Sequence, residues 1–138
     1  MAEDTSRSVR IERTAVGRYT VHNARGATIP VGGDDFSPVE LLLAAIGSCT
    51  AIDTDVVTSR RAEPTAFTVT VTGDKVADRD TGNRMENLAV TFEVTFPEGE
   101  AGDAARALLP RTVKLSHDKL CTVSRTVERG TPVTPVIR

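Results

Sequence analysis

Ser37–Ile52, SPVELLLAAIGSCTAI, decides how the rest of the chain is read. Ser37 offers an N-cap oxygen. Pro38 suits a first helical position, where a missing N–H is no loss. Glu40 stands where its carboxylate can reach back to the Ser37 amide. Together they predict a helix from Pro38 to about Arg60. Its first half is apolar on every face, the pattern of a helix enclosed on all sides. Gly47 and Ser48 remove bulk near its middle, which predicts the close approach of another helix. A small sheet cannot surround such a helix, so a second copy of it is the expected neighbour.

On the N-terminal side, Ser8–Arg13 and Tyr19–Asn23 read as short strands. Ala24-Arg25-Gly26 turns into a third, Ala27–Pro30, and Val31–Phe36 is a loop. On the C-terminal side the period changes to two. Phe67, Val69 and Val71 alternate with threonines, and Leu88, Val90, Phe92, Val94 and Phe96 alternate with Ala89, Thr91, Glu93 and Thr95. These are strands with one buried face each. Polar Asp74–Asn87 is expected as the exposed loop between them. Asp103–Leu120 has a helical composition, with Pro110 inside it either bending or restarting the helix. A short helical turn follows Cys121 to about Thr126, and Glu128–Ile137 reads as an edge strand because it carries Pro132 and Pro135. The expected class is α+β, antiparallel strands around a long central helix, in one domain spanning residues 1–138.

The chain has 138 residues, a hydrophobic fraction of 39%, no Trp, one Tyr and a formal charge of −2. So lean an apolar content suits a core completed by a partner subunit. Bulk charge gives no footing for nucleic acid or for an anionic membrane surface. Met1–Ser8 lacks the basic start and apolar core of a secretory signal. Leu41–Ile52, the longest uncharged stretch, is too short for a membrane span. The expectation is a cytoplasmic protein whose two cysteines work as thiols rather than as a structural staple.

Those cysteines are Cys49, inside the central helix, and Cys121, at the head of Cys121-Thr122-Val123-Ser124. His22, His117 and the cysteines match no familiar zinc spacing, so neither metal nor cofactor is expected. Ser37–Asp53 (SPVELLLAAIGSCTAID) and His117–Ser124 (HDKLCTVS), with the order of elements from Arg10 to Ile137, resemble the osmotically inducible protein C and organic hydroperoxide resistance (OsmC/Ohr) superfamily, closest to its less characterised OsmC-like members. The resemblance implies an intertwined homodimer in which the central helices pack together and both subunits contribute to each active site. It also implies a thiol peroxidase acting on organic hydroperoxides and recycled by an external dithiol, for which a lipoyl-type carrier is one candidate. Under it Cys49 takes the place of the peroxidatic cysteine and Cys121 that of the resolving cysteine. Arg18 takes that of the arginine that steadies the thiolate. The sequence departs from the family pattern in two places. Cys121-Thr122 stands where Cys-Pro is usual. Val39 stands ten positions before Cys49, where a catalytic glutamate is usual, and Glu40 stands nine before.

A peroxidatic sulfur must be a thiolate. Burial raises a thiol's pKa, and Cys49 lies too deep in its helix for the dipole to help. A cation is therefore expected beside it, with Arg18 the first candidate. Leu42, Leu43, Ile46 and Ile52 are the candidate lining of a pocket for an alkyl chain. Glu40 serves as capping partner, as a catalytic group, or as both. His117 reads as a base for Cys121 or as a surface residue, and Ser124 as a local backbone hydrogen-bonder. Asp53, one turn past Cys49, would oppose a thiolate if it faced the sulfur, and is read instead as the point where the helix meets polar surroundings. Two other functions stay open beside the peroxidase: a non-catalytic protein that binds a lipid-like or other small molecule in the same pocket, and a structural Cys49–Cys121 disulfide.

Overall fold

The computed structural model describes residues 4–138. The chain divides into two compact units, one ending at Leu42 and the other beginning at Leu43.

The first unit carries a three-stranded antiparallel sheet, β1 (Arg10–Ala15), β2 (Arg18–His22) and β3 (Thr28–Val31), in the order β1-β2-β3. β1 pairs Arg10 with His22 and Arg13 with Tyr19; β2 pairs Tyr19 with Val31 and His22 with Thr28. The β2–β3 turn is built by Asn23, whose side-chain oxygen accepts the Arg25 and Ala27 amides at 3.0 and 2.9 Å. The unit ends in the start of the helix α1 (Pro38–Thr58). The predicted capping box is formed reciprocally: the Ser37 amide donates to Glu40 Oε1 at 2.9 Å, and the Glu40 amide donates to Ser37 Oγ at 3.1 Å.

The second unit holds the remainder of α1, then β4 (Ala66–Val76), β5 (Arg84–Thr95), α2 (Glu100–Leu115), a π-helical turn (Ser116–Leu120) and α3 (Thr122–Arg129). β4 and β5 form an antiparallel hairpin, with Val69 opposite Phe92 and Val71 opposite Val90. Phe67 meets Phe92 edge to face, centroids 6.4 Å apart. α1 lies on this apolar face. Its closest approach is at Gly47, where an added Cβ would fall 2.5 Å from Val71 Cγ2. The missing side chain thus seats α1 on a strand; the close helix–helix approach expected at Gly47-Ser48 is not what its bare face serves here. Ser48 is exposed.

Two further expectations are corrected and two are narrowed. The exposed loop is far shorter than Asp74–Asn87: after a register shift between Thr72 and Asp74 the ladder continues through Asp74↔Glu86 and Val76↔Arg84. Backbone pairing extends a hairpin past its apolar residues, so composition alone misplaced the end. At Pro110 the alternative of a restart falls away, because α2 runs unbroken from Glu100 to Leu115. Glu128–Ile137 is not a strand. α3 takes Glu128 and Arg129 and closes on Gly130, which is left-handed at φ 63° and donates its N–H to the Thr126 and Val127 carbonyls, a glycine C-cap. Residues 131–138 carry no regular structure. Finally, the single chain leaves part of α1 uncovered, in line with a small sheet being unable to surround it. Ile46, Gly47, Thr50, Thr54 and Thr58 are buried, while Ile52 and Val56 are 63% and 54% exposed. α1 has the length and hydropathy to cross a membrane, yet its contacts with β4 and with Ser116 are those of a core helix.

Candidate functional site

Cys49 and Cys121 both lie in the second unit, both free, Cys49 half-buried and Cys121 fully buried. The two thiols lie close enough to shift each other's titration. α1 presents Cys49, and one turn later Asp53, toward the segment that carries Ser116 and Cys121. Asp53 Oδ2 accepts the Ser116 hydroxyl at 2.8 Å. The Cys121 amide donates to the Ser116 carbonyl at 2.7 Å, the bond that closes the π turn. The carboxylate-to-hydroxyl bond therefore ties the two elements together.

Cys121 is also the N-cap of α3. Its sulfur accepts the Ser124 amide at 3.4 Å and lies 3.3 Å from Ser124 Oγ. Thr50 of α1 is buried and also acts to lower this thiol. Burial pushes the Cys121 thiol up, but the bonds from Cys49, Ser124 and Thr50 outweigh it and lower it to about 7. Cys49 moves the other way. Burial raises it, as does the contact with Cys121, and the Asp53 charge adds to both; the Val123 amide alone works against them. Asp53 bonds Ser116, and its charge also bears on the sulfur.

Beside the pair lies a cavity of about 240 Å³. Leu88, Val90 and Phe92 of β5 form one wall, with Ile46 and Thr50 of α1, Val113 of α2 and Val127 and Ser124 of α3. Ser124, which is bonded to Cys121, and Thr50, one residue past Cys49, also line it. Its rim carries His117 and Glu128. The His117 ring nitrogens sit 2.9 Å from Asp118 Oδ1 and 2.9 Å from Glu128 Oε1, and Arg125 pairs with Glu128. His117 is thus an exposed rim residue tied to two carboxylates.

Of the four side chains expected to line a pocket, Ile46 does so. Leu42 and Ile52 are exposed and Leu43 lines no part of this cavity. Ile52 is six residues beyond Ile46, about 240° round the helix. Sequence reasoning missed the β5 wall, although the alternation through Leu88–Phe92 had marked its apolar face. Arg18 and Glu40 belong to the first unit. Arg18 opens β2 and is exposed, its guanidinium lying against Gly33. Glu40 is held below its ordinary range by the Ser37 amide and hydroxyl. Among the described residues no cluster of His, Cys, Asp or Glu is placed to hold a metal ion.

An α+β fold that sets two free thiols against an apolar cavity defines a small class of proteins. The profile of the OsmC-like protein family matches residues 31–136, and the chain belongs to that family. An uncharacterized protein of Mycobacterium tuberculosis is 34% identical over 130 residues, covering 89% of this chain and 90% of its own. An OsmC-like protein of unknown function from Vibrio cholerae has the same fold, with a TM-score of 0.73 at 14% identity over 90% of this chain and 94% of its own. The organic hydroperoxide resistance protein OhrB of Bacillus subtilis aligns with a TM-score of 0.54 at 15% identity, covering 88% and 90%. At such identities the two structures speak for the fold alone.

Proposed function

We propose that the protein is a dithiol-dependent peroxidase that reduces organic hydroperoxides. The observation that carries this reading is a pair of free thiols close enough to act on each other, with Ser124, bonded to Cys121, lining an apolar cavity. The Cys49 sulfur attacks the distal peroxide oxygen and the O–O bond breaks. The alkoxide leaves and takes a proton as the alcohol, and Cys49 becomes a sulfenic acid. Cys121 then displaces hydroxide from that sulfur to form the disulfide. An external dithiol returns both thiols by exchange and is itself oxidised to a disulfide. Six apolar side chains in the cavity favour an alkyl hydroperoxide over hydrogen peroxide. Membership in a family whose structural neighbours include organic hydroperoxide resistance proteins supports the assignment.

A homodimer and a cytoplasmic setting belong to the proposal. Ala45, Cys49, Ile52 and Val56 recur on α1 at spacings of four, three and four, an apolar stripe suited to a second helix. Arg18 would enter the site as the cation that steadies charge on sulfur and alkoxide, and Glu40 as its carboxylate partner.

The test is hydroperoxide consumption with excess dithiol. Cys49→Ser is expected to lower it by at least 100-fold, on the order of what loss of a covalent nucleophile does. Unchanged consumption ends the proposal. If the thiols prove inert to peroxide and a native small molecule is retained in the cavity, the protein is a binding protein instead.

A further inference from the structure

We propose that the cavity imposes an upper size on the hydroperoxide, an apolar body of about eight carbons, and that Phe92 is the residue that sets it. The inference deepens the peroxidase reading and rests on it for the identity of the substrate. The size limit itself belongs to the cavity.

The volume comes first. A dry protein cavity of about 150 Å³ takes a benzene ring. In proportion, the 240 Å³ beside the thiols takes about ten non-hydrogen atoms, roughly eight carbons and the two peroxide oxygens.

The wall comes next. Along β5 the side chains on this face deepen. Leu88 is 36% exposed, Val90 and Phe92 are half-buried, and Phe96, beyond the cavity, is 3% exposed. Phe92 therefore stands at the inner end of the wall. Its ring is held in place: Phe67 meets it edge to face from β4 and lines no part of the cavity, so it props the ring from outside. Such a contact favours one arrangement of the two rings over others.

The rim is closed by charge. His117 bridges Asp118 and Glu128, while Arg125 donates to the His117 carbonyl and pairs with Glu128. A chain too long for the cavity must cross these groups, where it gains no apolar burial and strips water from charges. Between a fixed ring and a charged rim, each added methylene strengthens binding only until the space is full.

The test compares primary alkyl hydroperoxides of increasing length, from butyl to hexadecyl, in the dithiol assay. In parallel, the matching alkan-1-ols are bound to the reduced wild-type chain by calorimetry. Both kcat/KM and alcohol affinity should rise roughly threefold to fourfold per added carbon, then stop rising at about eight carbons. Phe92→Ala should move that break to longer chains by roughly three to six carbons, the room left by a lost ring after partial collapse. Phe92→Leu, the milder change, should move it by about one or two. The break is read from ratios within one variant, so a loss of folded protein does not shift it. A wild-type series that climbs unbroken to the hexadecyl compound overturns the proposal, and so does a break that stays in place in both Phe92 variants. If the alcohols break at the stated length and no hydroperoxide is consumed, the peroxidase assignment falls and the size limit stands. If hydroperoxides are consumed with no break, the size limit falls and the peroxidase stands.

Discussion

Asp53 is the residue whose meaning changed most between sequence and structure. In the sequence it closes an apolar run. In the fold it bonds Ser116, a partner far away in the chain, and its charge bears on the Cys49 thiol. No local pattern announces such a contact, because it exists only once α1 and the π turn are packed together. The two cysteines themselves were legible, since a thiol inside an apolar helix and another ahead of a helical turn are unusual enough to single out. Asp53 carries two separable effects. Asp53→Asn keeps an oxygen that can accept the Ser116 hydroxyl and removes the charge. Ser116→Ala keeps the charge and removes the bond. Asp53 raises the Cys49 thiol, so removing its charge is expected to lower the Cys49 midpoint and speed Cys49 alkylation at neutral pH, with stability near wild type. Ser116→Ala should instead lose about 1 kcal/mol in denaturant unfolding, the worth of one buried hydrogen bond. Equal effects of both variants on the alkylation pH profile would make Asp53 a structural residue only.

At the scale of elements, the clearest signals were local ones. Ser37-Pro38-Val39-Glu40 marked the start of α1 because every group of a capping box lies within four residues. The turn at Gly26 and the alternation from Phe67 were local too. The errors fell where an end is set by something else. The β4–β5 hairpin outran its apolar residues because strand pairing carries it on. The helical turn read after Cys121 was ended too early, at about Thr126, because Pro132 and Pro135 drew attention away from Gly130, the residue that ends it. Gly47 offers a direct test of how α1 is seated. Gly47→Ala puts a methyl 2.5 Å from Val71 Cγ2, and overpacking of this kind costs about 1–3 kcal/mol. Val71→Ala alone leaves a void costing roughly 1–3 kcal/mol at a half-buried site. Together they should cost less than the sum, because the methyl added on the helix meets space opened on the strand. Strictly additive losses in chemical denaturation would mean that α1 does not rest on Val71.

For the whole molecule the central question is what covers the outer face of α1. Among the described residues the buried apolar side chains are Val31, Ile46, Phe96, Ala105 and Cys121. That is a small core for a chain with Ile52 and Val56 standing 63% and 54% exposed on one helix. Large apolar side chains in a row on a surface mark a contact site. The spacing of Ala45, Cys49, Ile52 and Val56 fits another helix better than it fits a sheet, because heptad-like spacing keeps one seam facing a partner helix. The occupant that supplies the matching stripe without a second gene product is another copy of the chain. The sequence hinted at this through a helix too apolar for one small sheet to enclose; it could not say which face would be left bare, since that depends on Gly47 seating the opposite face on β4. Ile52→Glu places a charge in the middle of the stripe. Desolvating two such charges across a symmetric seam would cost several kcal/mol, while in a lone chain an exposed glutamate costs little. Wild-type protein should therefore sediment at twice the chain mass and Ile52→Glu at the chain mass, both with native helix content by circular dichroism. A wild-type protein that sediments as a single chain at micromolar concentration would leave the stripe without this partner, and the two-subunit site with it.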